Sequence, residues 1–120
     1  MSEIPKFEPR WPLPHSGAEA SDLAQALMIT KKRLASVIGV SPSALYRGKL
    51  SHRTKERLRP LLDIFNLAIW MAQNEKRAAF WMNHEHPQGM GPESPLDWIA
   101  RGEAEKVKLA QEAKIVGGFE

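Results

Sequence analysis

Residues 31–50 read KKRLASVIGVSPSALYRGKL, and the spacing within this stretch decides the fold. Thr30 can cap a helix in which Leu34, Ala35 and Ile38 form an apolar stripe, and Gly39 ends it with the positive φ that a tight turn requires. Ser41 followed by Pro42 opens a second, short helix through about Arg47, because proline at the first helical position forfeits no hydrogen bond. Ala35 is small where the two helices cross, while Leu34, Ile38, Val40 and Leu45 turn inward against a preceding helix. This is the spacing of a helix-turn-helix. In that geometry the second helix enters the major groove with its N-terminal residues leading. Ser41, Ser43, Ala44 and Arg47 then face base edges, with Tyr46 touching base or phosphate. Arg47 is the one side chain among them able to bind guanine bidentately. Lys31, Lys32, Lys49, Arg53 and Lys55 are placed to meet phosphates, which fix register without reading sequence. The alternative is a plain helical hairpin with charged flanks and no DNA.

The charge distribution favours the first of these. The net charge of +3 conceals a division: residues 1–60 carry 11 Lys/Arg against 5 Asp/Glu, whereas residues 61–120 carry 6 against 9. Between Thr30 and Pro60 nine basic residues face Glu56 alone. Such asymmetry predicts a nucleic-acid face in the first half and another task in the second.

Outward from this stretch, the segment before it holds Pro5, Pro9, Pro12 and Pro14, each of which removes a backbone donor and disfavours helix in the preceding residue. Residues 1–18 are therefore expected to be a flexible arm, and Ser21 or Asp22 to start a first helix through about Met28. Beyond it, Leu58, Leu61, Leu62, Phe65, Ala68, Ile69 and Ala72 keep helical spacing over the longest run in the chain. Pro60 predicts that this helix starts nearby or bends there. A second apolar row, Ile64, Leu67 and Met71, exceeds what one small core is expected to cover and predicts a self-association surface, so the chain reads as a homodimer. Asn74 can cap a helix through Ala78, Ala79, Phe80, Trp81 and Met82. Ser94, Pro95 and Asp97 form a capping box for a short helix ending at Gly102, and a last helix covers about Glu103 to Lys114. No segment alternates with period two, so the chain reads as all-α, divided into the arm (1–18), a DNA-binding part (19–56) and a second helical part (57–120).

A length of 120 residues excludes a multidomain enzyme. With no cysteine there is no disulfide framework, thiolate nucleophile or sulfur-ligated zinc. The N-terminal stretch lacks an apolar signal core, and the run Leu61–Ala72 is interrupted by Asp63 and Asn66, so no membrane association and a cytoplasmic location are expected.

The order of these features resembles the Xre/MbcA/ParS group of bacterial type II toxin-antitoxin antitoxins. The resemblance rests on a helix-turn-helix ending in LYRG, a long apolar helix, then AAFWMNHEHP and SPLDWIARGEAEKV, and it spans roughly residues 22–118. In the toxin-binding antitoxin-C domain of that group, the marks fall here on Trp81, Pro87, Pro95 with Leu96, and Gly102 with Glu103. One departure is Arg47 followed by Gly48, where members usually have tryptophan, which shortens the recognition helix. The resemblance implies an antitoxin that neutralises a cognate toxin, either a RES-type NAD-degrading enzyme or one resembling an ADP-ribosyltransferase. It also implies repression of its own operon through operator DNA, with no cofactor and no catalysis of its own. A stand-alone dimeric helix-turn-helix regulator is the alternative, and a small enzyme a distant third.

Trp70, Trp81 and Trp98 are most simply core residues; the alternative is that Phe80, Trp81 and Trp98 are toxin anchors, since aromatic side chains carry much of the energy of protein contacts. The tail IVGGFE adds Ile115 and Val116 as apolar contacts, Gly117 and Gly118 to release the backbone from helix, and Phe119 with Glu120 to present a ring and carboxylates to the toxin's pocket. A frayed terminus is the simpler reading of the same residues. His84 and His86 flank Glu85, but a metal site needs further ligands, and no metal is expected.

Overall fold

A computed structural model describes residues 6–84 and 91–117. Among these residues lie seven helices, no strand, and one isolated antiparallel bridge between Ser16 and Lys49. The class is all-α.

Local capping chemistry sets most helix starts. Helix α1 (Gly17–Ala26) is capped by Ser16, whose Oγ accepts the Glu19 N–H at 3.2 Å. Helix α2 (Lys31–Ile38) is capped by Thr30, which accepts from Arg33 at 3.0 Å, and α3 (Pro42–Tyr46) by Ser41, which accepts from Ala44 at 3.2 Å. Ser51 caps α4 (His52–Ala72) through the Thr54 N–H, and Asn74 precedes α5 (Glu75–His84), accepting from Arg77 at 2.9 Å. A reciprocal Ser94–Asp97 capping box opens α6 (Pro95–Ala100), and α7 is Ala104–Gly117. Each cap satisfies an N–H that the first turn of a helix leaves without a partner, a contribution of about 1 kcal/mol apiece.

Two boundaries depart from the sequence reading, and the start of α4 excludes one of its two alternatives. Helix α1 begins at Gly17, not near Asp22, because Ser16 takes the capping role. Helix α4 starts at His52 and carries Pro60 in its interior. Helix α7 runs through Ile115, Val116 and Gly117, so the backbone is not released after Lys114 as the glycines suggested. Gly118, Phe119 and Glu120 lie outside the described residues, as do Glu85, His86 and Pro87.

Every helix sends at least one side chain into a single apolar cluster: Leu23, Leu34, Leu45, Phe65, Met82, Leu96 and Val107, in chain order, are fully buried there. Burial of this kind stabilises by roughly 1.5–3 kcal/mol per large side chain. Helix α4 is the axis, packing against both α5 and α7. It also runs across residues 56 and 57, contributing Thr54 and Leu58 to the interior on either side of the expected domain boundary. Packing against two helices explains the fate of its second apolar row. Ile64 is 0% exposed and Leu67 3%, and Met71 is half-buried, so Ile64 and Leu67 serve the interior of the chain and not a surface between copies.

The expected arm is a docked strap over residues 6–16. Phe7 stacks on Trp70 with ring centroids 5.8 Å apart. The Trp11 N–H donates to Asn66 Oδ1 at 2.8 Å, Asn66 Nδ2 donates back to the Trp11 carbonyl at 2.9 Å, and Trp11 Nε1 donates to Glu75 Oε1 at 2.6 Å. Pro14 is buried, and Leu13 packs against the core. Among the described residues no helix is long and apolar enough to cross a membrane.

Candidate nucleic-acid interface

The turn between α2 and α3 is built from three short-range devices. Gly39 caps α2 in the left-handed region at φ 76°, the Val40 N–H donates to the Ala35 carbonyl at 3.0 Å, and Ser41 caps α3. A side chain other than glycine is strained at that φ. Of α3, Leu45 alone is buried and Tyr46 half-buried, which leaves Pro42, Ser43 and Ala44 on the surface beside the exposed cap Ser41. The helix is five residues long and is followed by Arg47 in extended conformation and Gly48 at φ 58°.

Exposed cations lie on the elements that flank this helix in sequence. Lys31 and Lys32 lie on the first turn of α2, Arg47 and Lys49 follow α3, and Arg53 lies on the first turn of α4, all exposed, with Lys55 half-buried nearby. The nucleic-acid candidates are thus gathered on consecutive elements. Glu56, the acid of this region, is engaged within α4 by Arg59 at 2.9 Å and by His52 at 3.8 Å. Arg57, which sequence reasoning passed over, reaches back along α4 so that its guanidinium lies beside Gly39. Arg33 faces elsewhere, pairing with Asp97 at 2.7 Å.

Tyr46 makes contacts within the chain. Its hydroxyl donates to the Lys31 carbonyl at 2.9 Å, and the Lys31 ammonium lies 5.6 Å from its ring centroid, so the side chain fastens α3 to the start of α2. Burial pushes the phenol up to about 12.

Two residues that sequence reasoning missed hold α3 from behind. Gly17 allows α1 to touch the backbone of Tyr46 so closely that an added methyl would overlap the Tyr46 carbonyl. The Gly17 N–H also donates to the Gly48 carbonyl at 2.8 Å, and the Leu50 N–H to the His15 carbonyl at 2.9 Å. No local pattern marks these contacts, because they join segments far apart in sequence.

The candidates for protein contact are dispersed. Phe80 is 55% exposed on α5 and stacks on His84 at 4.4 Å. Trp81 on α5 and Trp98 on α6 are half-buried against the core. The Trp98 ring lies 4.5 Å from the Arg101 guanidinium and 5.2 Å from the Lys106 ammonium, and its indole N–H has no hydrogen-bond partner among the described residues. Ile115 is half-buried and Val116 exposed, both on the last turns of α7. These positions lie on α5, α6 and α7, of which α6 packs against both others. No family model, curated protein or solved structure matches the chain.

Proposed function

We propose that the chain is a DNA-binding antitoxin. In this reading α2 and α3 form a helix-turn-helix that represses the chain's own operon, and the surface built from α5, α6 and α7 covers a cognate toxin of the RES or ADP-ribosyltransferase-like type. One observation supports the DNA half above the rest: Ser41, Ser43 and Ala44 are exposed on a capped short helix, and Lys31, Lys32, Arg47, Lys49 and Arg53 are exposed on it or on the elements next to it in sequence. An exposed helix start with small polar side chains can approach base edges closely, and these cations neutralise phosphates. The toxin half rests on the order of motifs from Trp81 to Glu103. Its inhibitory element is the aromatic surface of Phe80, Trp81 and Trp98 together with the end of α7. No catalytic group or cofactor is assigned.

The regulator without a toxin is the second reading. It is favoured by the course of α7, which keeps Ile115, Val116 and Gly117 helical and so shortens any free tail available to plug an active site.

Two measurements separate these outcomes. Binding to the DNA upstream of the chain's own gene, at physiological salt, is expected to exceed binding to random duplex by at least roughly a thousandfold. Equal binding to both removes the DNA half. Co-expression with the adjacent gene product is expected to rescue growth and to yield a co-purifying complex. Specific DNA binding without rescue leaves the regulator.

A further inference from the structure

The strap ties together the two ends of α4, which itself starts two residues after Leu50 and ends beside Glu75. At one end Trp11 is held at the corner between α4 and α5 by Asn66 and Glu75, and Arg10 adds an ion pair to Glu75 at 3.6 Å. At the other end His15, Ser16 and Gly17 pair with Leu50, Lys49 and Gly48, the residues through which the chain leaves α3. Between them lie Pro12 and Pro14, whose rings fix φ and whose missing donors leave little alternative pairing, so the segment transmits position instead of absorbing it.

Asn66 is the informative residue. It is buried in the most apolar stretch of α4, between Phe65 and Leu67, where an amide is costly unless its groups are paired. Its oxygen and its nitrogen both bind the backbone of Trp11, an arrangement that mimics a strand partner and grips the strap at one register. We infer that residues 11–17 set the presentation of α3 from the far end of α4, with Asn66 and Glu75 as positioning residues for DNA contact. This role rests on the DNA-binding reading above. Freed at Trp11, the strap loosens its pairing with Gly48 and Leu50, and Arg47 and Lys49 lose the fixed backbone that aims them.

The full-length chain tests this in two arms. Asn66→Leu removes both bonds to the Trp11 backbone while keeping a side chain of similar size, and Trp11→Phe removes the indole bond to Glu75 and part of the ring's packing while leaving the Asn66 bonds in place. Amide exchange is read at Gly17 and Leu50, which touch neither substituted side chain, and affinity is read on the upstream DNA duplex. Asn66→Leu is expected to speed exchange at both amides about tenfold or more while Val107 keeps its protection. It is expected to weaken DNA binding by about tenfold, with Trp11→Phe showing a smaller change of the same kind. Unchanged exchange at Gly17 and Leu50 overturns the inference, and so does faster exchange with unaltered DNA affinity in the folded variant. Should Asn66→Leu lose protection throughout, Trp11→Phe decides by the same two readings. A wild type that binds no DNA refutes the DNA-binding reading and with it the positioning role; amide exchange then reports only whether the strap is mechanically continuous.

Discussion

Arg33 Nη2 donates to Asp97 Oδ1 at 2.7 Å, tying the first turn of α2 to the first turn of α6 across 64 residues of sequence. The other carboxylate oxygen of Asp97 accepts the Ser94 N–H at 3.0 Å and closes the capping box of α6. One carboxylate therefore starts a helix in the second half of the chain and holds a helix of the first.

This pair predicts an acid-sensitive stability. Burial pushes the Asp97 carboxyl upward, but the Ser94 backbone N–H and the Arg33 guanidinium outweigh it and hold the group below its ordinary value. A depressed carboxylate stabilises the fold above its unfolded pKa, near about 4, and that contribution is lost as pH falls through the folded value. The side chains are 37% and 43% exposed, so solvent screening limits the effect to about 1 kcal/mol or less. Thermal melts are expected to show a drop in stability below about pH 4 that Asp97→Asn reduces. An identical acid limb in both proteins contradicts it.

Tyr46 is the single tyrosine of the chain, so its ionisation can be followed directly by absorbance. The midpoint is expected near 12, against 10.0 for a free phenol. Because the shift is upward, the stability contributed by the neutral ring is complete below about 10 and disappears as pH rises towards the folded value. A midpoint at the free value means that the ring is not seated between α3 and α2. Tyr46→Phe is expected to cost about 0.5–1.5 kcal/mol of stability with DNA affinity nearly unchanged.

Arg47→Ala and Lys49→Ala are expected to differ in kind. Loss of a bidentate base contact costs about 1–3 kcal/mol and relaxes preference at one base pair, whereas loss of a phosphate contact weakens all sequences alike and lowers the salt slope by about one. Titrations on the upstream duplex and on single-base variants, each at several salt concentrations, separate the two. Indistinguishable behaviour of the two variants refutes the assignment of Arg47 to a base.

Two glycines make a matched test of packing against backbone strain. At Gly17 a methyl overlaps the Tyr46 carbonyl, so Gly17→Ala must push α1 from α3 and is expected to cost about 1–3 kcal/mol in urea unfolding. Gly102 has φ 82° with nothing within 4 Å of the added carbon, so Gly102→Ala is expected to cost only the backbone strain, about 1 kcal/mol. The order of the two unfolding midpoints checks the contact.

Ile64→Ala is expected to lower stability by about 2–5 kcal/mol, as a cavity in the core does, and to leave the molecular mass in light scattering unchanged. A stable variant whose mass falls relative to wild type would restore Ile64 to a surface between copies.

Relationships within one turn of helix could be read from the sequence. Thr30, Ser41 and the Ser94–Asp97 box each act on an N–H three residues away, so residue type and spacing suffice to find them. Gly39 belongs with them, since its φ is a local demand of the turn. The exposure of Ser41, Ser43 and Ala44 follows from the same local capping, whereas the Tyr46 hydroxyl finds a carbonyl 15 residues away, which spacing does not show. What the tertiary structure alone decided involves partners distant along the chain. The proline-rich stretch 6–16 has no local signal for docking, and Trp11 within it is held because Asn66, 55 residues on, and Glu75, 64 residues on, bond to it. Ile64 and Leu67 repeat at helical spacing whether they face solvent, another copy or the interior; only the packing of α5 and α7 against α4 determines that they face inward. A periodicity specifies which residues share a face, and the assembly of the remaining helices specifies what that face meets.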